Sequence, residues 1–455
     1  MSDEQAETPR LVQGRVSQGL LRLAAPVILG ITANIGAGLI EAFFLAQVST
    51  VALAAYSFTF AVQGALMSLS LGISIGVSSV LARTVGSGDM DQVRRIASDG
   101  LLLVAMVMIV MSMIGYITID PLFRALGADD TTLPLITGYM TIYYLSVVFM
   151  AVPSVGANAL RATGDASISG TIMVSGAVLQ ICISPFLIFG WMGLPALGLV
   201  GAAWSTLISR LILFIITMAV LHYREHLITY AGVTLSLIMN SWRRIMAVSI
   251  PATATNLIGP ISTAIIVSLL ADFSQETVAG FGIASRIEGL FVIPLFALSA
   301  SIGPFVGQNW GADRYDRANR AMLLSFQYSL GWGVLVAILL MTFRQPIAGL
   351  FDDNPEVIEV AAHYLLLVPI SYGTWGVLMM ASAIFNSLGK PVSSTIMSII
   401  RMFALYIPLA FLGKWMFGMT GIFLAAAVSN LAMGAIAYKW NRNTYGRSGL
   451  RPSGT

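Results

Sequence analysis

The chain has 455 residues, 57% of them hydrophobic and only 10% charged, with a mean hydropathy of +0.85. A soluble protein of this size carries about 25% charged residues, so a water-facing globule is excluded and most of the surface faces lipid. The net charge of +3 and pI near 9.0 would suit nucleic-acid binding, but membrane proteins gather Lys and Arg in cytoplasmic loops, which explains the excess without it. The single cysteine, Cys182, lies in an apolar run, excluding disulfide frameworks and zinc clusters. His222, His226 and His363 lie far apart or near loop boundaries and give no metal site.

The polar stretch 1–19 reads as a tail. The apolar run after it is too long for a signal h-region and has no obvious cleavage site, so it is expected to remain as a helix. A span needs about 20 apolar residues rising ~1.5 Å each. Such runs lie near 20–46, 53–82, 97–119, 134–158, 168–190 and 199–221, forming a first lobe over 20–222. A basic, polar linker, 223–244, leads to runs near 246–270, 279–305, 321–343, 361–386, 393–413 and 418–438. These form a second lobe over 245–440, followed by a tail at 441–455. The fold class is an all-α polytopic membrane protein with twelve transmembrane helices. With the N-terminus inside, 18 of the 24 basic residues fall on the cytoplasmic side and three outside (Arg124, Arg344, Lys414). That bias places both termini in the cytoplasm.

A shift of about 225 residues superimposes the two halves: Pro26 falls on Pro251, and Gly86, Asp91 and Arg95 fall on Gly311, Asp316 and Arg320. Farther on, the shift drifts toward 220 as Pro185 meets Pro408, Gly198-x-x-Gly201 meets Gly418-x-x-Gly421, and Ser209 meets Ser429. Six spans per repeat is even, so the halves share orientation about an axis along the membrane normal, an arrangement that puts a substrate path between two rocking bundles.

Of the 21 acidic residues, only Glu41 and Glu288 lie well inside spans, with Asp99 near a span end. Intramembrane carboxylates are costly, so they face cavities and carry function by default. Glu41 lies 19 residues beyond Arg22, roughly 28 Å along a helix and in the outer half of span one. A carboxyl group held away from water takes up a proton more readily, which suits coupling; structural hydrogen bonding between helices is the alternative. Glu288 has Arg286 two residues away and Arg401 in the same half, so an ion pair and a functional role stand level. Gln180 and Ser184, four apart on one helix face, and Thr206 in span six extend a polar site around Glu41, or bond across helices. Prolines 26, 153, 185, 251, 294, 369 and 408 sit in or at the edges of spans, where each removes a backbone bond. Gly72 and Gly76 have helix-packing spacing. No catalytic constellation and no phosphate-binding loop occurs, so neither an enzyme nor an ATP-driven pump is expected from this chain alone.

At these residues the chain resembles the multidrug and toxic compound extrusion (MATE) family, particularly its DinF-like branch. Ile40-Glu41-Ala-Phe-Phe-Leu-Ala-Gln-Val-Ser-Thr-Val-Ala-Leu-Ala-Ala-Tyr56 is similar to its first-helix signature, with Glu41 where aspartate is usual. Gly280-Phe-Gly-Ile-Ala-Ser-Arg286-Ile-Glu288 and Gly307-Gln-Asn-Trp-Gly-Ala312 resemble the counterparts in the second half. Arg161-Ala-Thr-Gly-Asp165 and Asn386-Ser-Leu-Gly-Lys390 resemble its paired loops. The resemblance implies a V-shaped pair of pseudo-symmetric six-helix bundles in the bacterial inner membrane. It implies antiport of organic, amphipathic cationic compounds against H+ or Na+, with no cofactor beyond the coupling ion. Glu41, Gln180, Ser184 and Thr206 would form the cation-coupling set, and Arg286 and Glu288 are polar candidates of the second lobe. The DinF-like motif usually has Asn and Asp at Gln180 and Ser184, which lowers the charge available for Na+ and favours protons. Expected partners are small-molecule drugs or organic cations and the lipid bilayer, without nucleic acid, and the chain is expected to act as a monomer.

The alternative within the superfamily is a lipid-linked saccharide flippase, which should carry a more basic cavity than Arg210, Arg286 and Arg401 provide. A major-facilitator transporter lacks support because the Gly-Asp-Arg-x-Gly-Arg-Arg type of loop is absent, and a structural or receptor protein would not need a repeat with an intramembrane acid. The topology has a direct check. In a Cys182→Ser background, a cysteine at Gly232 should react with a membrane-impermeant maleimide only from the cytoplasmic side; labelling from outside would overturn the span assignment.

Overall fold

Backbone polar groups in hydrocarbon find no water, so an apolar run of span length must bond within itself as a helix or pair in a closed barrel. In the computed structural model, which describes residues 10–229 and 234–445, the described residues form helices and no strand. The tail before residue 10, the centre of the linker and the tail beyond 445 lie outside the described residues. Eleven helices are long and apolar enough to cross a membrane: Val16–Val48, Thr50–Ser87, Met90–Ile117, Leu133–Thr163, Ala166–Ile188, Gly198–Arg224, Leu235–Ala271, Tyr315–Thr342, Pro355–Ser387, Pro391–Phe417 and Met419–Tyr445. Gln275–Phe291 and Ile293–Gly311, bent by 46°, together make the remaining one, the eighth in chain order. The twelve spans follow the order of the twelve apolar runs.

Helix ends extend past the apolar runs where polar caps hold them. Span three starts at Met90 because the Asp89 carboxylate accepts from the Gln92 amide at 2.9 Å. The Arg161–Asp165 motif is turn chemistry. Gly164, at φ 100°, closes span four, and Asp165 opens span five by accepting from the Ile168 amide at 3.1 Å. Arg161 turns inward and donates to Ser169 Oγ at 2.6 Å and Asn158 Oδ1 at 2.7 Å. In the second half, Gly389 takes the equivalent turn at φ 74°, and Ser387 Oγ donates to the Gly303 carbonyl at 2.5 Å. The repeat also generates an element that the composition does not reveal: a short helix follows span three (Ile119–Ala125) and another, Arg344–Ala348, follows span nine.

The chain divides into two compact units. The N-terminal unit holds Ala25–Val85 and Asp89–Thr253; the C-terminal unit holds Gly86–Gly88, the chain from Ala254 onward and the stretch ending at Ala24. The N-terminal unit centres on Tyr139, Tyr143, Phe123 and aliphatic neighbours, and the C-terminal unit on Tyr364, Tyr372, Phe423 and Ile266. Apolar helices gain little from leaving lipid, so association rests on close packing and interhelical hydrogen bonds. Gly72 and Gly76 serve that packing, since a Cβ on either would strike Thr253 or Ser249 of span seven. The repeated Gly201 and Gly421 do likewise, abutting the carbonyls of Leu187 and Gly413 in the preceding spans.

The Gly307–Ala312 motif fastens the start of the chain within the C-terminal unit. Gln308 and Asn309 are fully buried. The Leu11 amide donates to Gln308 Oε1 at 3.2 Å, and Asn309 Nδ2 donates to the Leu11 carbonyl at 3.1 Å. Arg317 adds a bond from its guanidinium to the Gly14 carbonyl at 2.8 Å.

Removal of the Asp165 cap by Asp165→Ala is expected to destabilise the protein by about 1 kcal/mol. Asp165→Asn, which keeps the acceptor, should stay close to wild type; thermal unfolding of the purified protein in detergent checks both.

Candidate functional site

In the N-terminal unit, three other spans bring polar side chains to Glu41 of span one: span two, span five and span six. Its side chain is 7% exposed. Tyr56 OH donates to Oε2 at 3.4 Å, while Oε1 is buried with no hydrogen-bond partner among the described residues. Gln180 and Thr206 approach the carboxyl group as hydrogen-bonding neighbours, and Arg210 acts on it by its charge. Gln180 Nε2 donates to Thr206 Oγ1 at 2.8 Å, so these two bond each other first. Ser184 Oγ donates to the Gln180 carbonyl at 2.7 Å and lies 3.0 Å from Ser205 Oγ, one step farther from Glu41. Thus Glu41, Gln180 and Thr206 lie together, with Ser184 bonded behind Gln180.

Arg210, which the sequence marked only as an intramembrane cation, and three tyrosines were not placed at this site from the sequence. Arg210 donates to Ser146 Oγ at 2.7 Å, and its guanidinium carbon lies 4.7 Å from the centre of the Tyr143 ring. It forms no salt bridge with Glu41 among the described residues, so their attraction acts through space. Tyr143 stacks on Tyr139 at 5.8 Å, and Tyr139 meets Tyr56 edge-on at 5.6 Å. A sequence signal for Arg210 existed: it follows Thr206 by four residues and shares its helix face. The tyrosines gave none, because aromatic residues in a span read equally as packing.

The C-terminal unit holds a second cluster around Glu288. Tyr364 OH donates to Glu288 Oε2 at 2.8 Å, with Tyr372 beside it and Arg401 as the cation acting on it. Arg401 donates to Asn430 Oδ1 at 2.9 Å and lies 5.9 Å over the Trp375 ring. Arg286 is exposed and takes no part in the cluster. Residues two apart on a helix diverge in direction, so its nearness in sequence does not become a contact. The 225-residue shift that pairs Gln63 with Glu288 also pairs Tyr139 with Tyr364. Gln63 Nε2 lies 3.4 Å from Tyr139 OH, so the Glu288–Tyr364 bond has a neutral counterpart in the first half.

The MatE family model matches residues 26–186 and 251–412, one stretch in each half. The chain belongs to the MatE family. It is therefore a multi-pass membrane transporter of small molecules and not an enzyme. Over 428 residues it is 36% identical to a protein of Shewanella oneidensis named FAD transporter, covering 94% of this chain and 95% of the relative. The probable multidrug resistance protein YoeA of Bacillus subtilis is 24% identical over 363 residues, covering 79% of this chain and 78% of that one. The crystal structure of the Vibrio cholerae MATE transporter VcmN in its bent form superposes with a TM-score of 0.90 at 25% identity, covering 95% of this chain and 97% of that one. These likenesses establish the family rather than its DinF-like branch.

The two clusters make different demands on stability. Tyr364→Phe strips Glu288 of its donor and is expected to destabilise by about 1–3 kcal/mol, whereas Arg286→Gln should stay within about 0.5 kcal/mol of wild type. Thermal unfolding in detergent separates them, and equal losses would contradict the assignment of partners.

Proposed function

We propose that the chain is a secondary active exporter of the inner membrane, with both termini cytoplasmic, that exchanges substrate for protons through Glu41 and acts as a monomer. The observation that carries this reading is the Glu41 carboxyl group itself: buried, with one oxygen bonded by Tyr56 and the other without a partner. An unpartnered buried oxygen is costly when charged, and a proton supplies the missing compensation. Gln180, Thr206 and Tyr56 offer neutral groups to either form of the acid. Na+ fits less well, because a hard cation needs several oxygen ligands, and among the described residues this cluster offers one carboxylate, with Gln180 already bonded to Thr206. Antiport follows where protonation and substrate favour opposite states, since each ligand shifts the equilibrium only by its differential affinity.

For the substrate, the family relation supports a small molecule, and two observations favour an anionic aromatic dinucleotide of the FAD type. One is the name of the 36% identical relative; the other is the guanidinium lying on an aromatic ring in each unit. The amphipathic cations expected from the sequence remain the second reading, favoured by more distant relatives named for multidrug resistance or export.

Reconstituted protein under a pH gradient tests both parts. FAD should move while ethidium does not. Glu41→Gln should abolish exchange at an unchanged protein level, and Glu41→Asp should keep part of it. Wild-type rates in Glu41→Gln would refute the coupling role, and movement of ethidium without FAD would return the substrate to organic cations.

A further inference from the structure

Three spans of the C-terminal unit depart from α geometry, and all three departures adjoin the Glu288 cluster. Span eight breaks after Phe291, bends by 46° and resumes at Ile293, one turn beyond Glu288. Span ten passes through a 3-10 turn at Pro369–Ser371, immediately before Tyr372. Span eleven runs as a π-helix over Ile400–Tyr406, which contains Arg401. The repeat-related spans of the N-terminal unit, Thr50–Ser87, Leu133–Thr163 and Ala166–Ile188, run as unbroken α-helices. Local sequence does not explain the contrast: Pro185 and Pro408 are repeat partners, yet only Pro408 borders a π segment. Irregular backbone at membrane depth persists where protein buries it or where it lines a polar cavity. Broken helices mark substrate sites in other transporter folds, and π segments recur at functional sites.

The side chains at this convergence have unused capacity. A guanidinium has five N–H donors. Asn430 accepts one from Arg401, and Asn430 is itself held by donating to Ser371 Oγ, in the 3-10 turn, at 3.1 Å. No carboxylate lies within ion-pair distance of Arg401 among the described residues, and the Glu288 carboxyl is engaged by Tyr364. Arg401 is half-buried rather than sealed. Trp375 lies beneath it, and Phe296 meets Trp375 edge-on at 6.3 Å. A planar donor fork braced by Asn430 above an aromatic platform matches an oxyanion joined to a flat ring.

We propose that Arg401 and Trp375, positioned by Asn430, recognise the anionic aromatic part of the substrate, a phosphate ester carried on a flat ring system. The inference rests on the substrate reading above and assigns recognition to the C-terminal unit, apart from the proton-binding carboxyl group in the N-terminal one. The helix breaks shape the site, and Glu288 balances the charge of Arg401 when no anion is bound.

Full-length protein in lipid nanodiscs, titrated with riboflavin and with riboflavin 5′-phosphate by flavin fluorescence, tests the site. The two probes share the ring and differ by the phosphate. Wild type should prefer the phosphate by about 10-fold, the scale of one charge-assisted contact. Arg401→Gln should erase that preference while leaving riboflavin affinity unchanged, Arg401→Lys should keep part of it, and Trp375→Leu should weaken both probes. Should Arg401→Gln not fold, Asn430→Ala, which unbraces the guanidinium, should lower the preference several-fold. An undiminished preference in the folded Arg401→Gln or Asn430→Ala protein would overturn this site while leaving the substrate reading standing. Failure of wild type to bind either flavin would overturn the substrate reading and this site with it.

Discussion

A charged side chain at the centre of a bilayer costs between about 2.5 and more than 10 kcal/mol, depending on how far water and neighbouring groups follow it. The arrangement of this protein depends on that penalty. Glu41, Arg210, Glu288 and Arg401 are each drawn into a bundle interior, and each brings hydroxyl, amide or aromatic partners from other spans. Much of the rest of each span is free to be apolar and small at the contacts, because few other positions carry a charge that must be satisfied.

The duplicated chain solves the problem twice, differently. The N-terminal unit places its acid on span one and its arginine on span six; the C-terminal unit places them on spans eight and eleven. In the first, spans two, four and five run as unbroken α-helices, span six turns to a π segment only at its far end, Val220–Arg224, and one carboxyl oxygen lacks a partner. In the second, the acid is bonded by a tyrosine while the helices around it break. A regular cage with an unsatisfied acid suits proton binding, and a distorted cage with an under-used guanidinium suits an anion. Under the proposed function, duplication followed by such divergence would let one fold carry ion and substrate on separate groups.

Much of this was legible in the residues. The spans could be read because bilayer thickness ties their length to hydropathy, and the repeat because loop glycines and charges keep their order. Glu41, Gln180 and Thr206 were visible as polar positions where lipid tolerates few. The partnership of Glu288 was not: Arg286 is near in sequence but turned away, and the cation beside Glu288, Arg401, comes from another span. The role of Tyr56 and Tyr139 was hidden because an aromatic ring in a span serves packing and hydrogen bonding alike. The helix breaks were hidden because Pro185 and Pro408 look equivalent locally, and tertiary surroundings decide which helix yields.

The proposed transport exchanges substrate for protons rather than Na+. The most direct measurement follows proton movement in lightly buffered proteoliposomes loaded with FAD, with a pH-sensitive dye, in Na+ medium and again in K+ medium. FAD efflux should be accompanied by proton movement in the opposite direction, to the same extent in both media. FAD efflux without proton movement, or efflux that stops when Na+ is withdrawn, would contradict it.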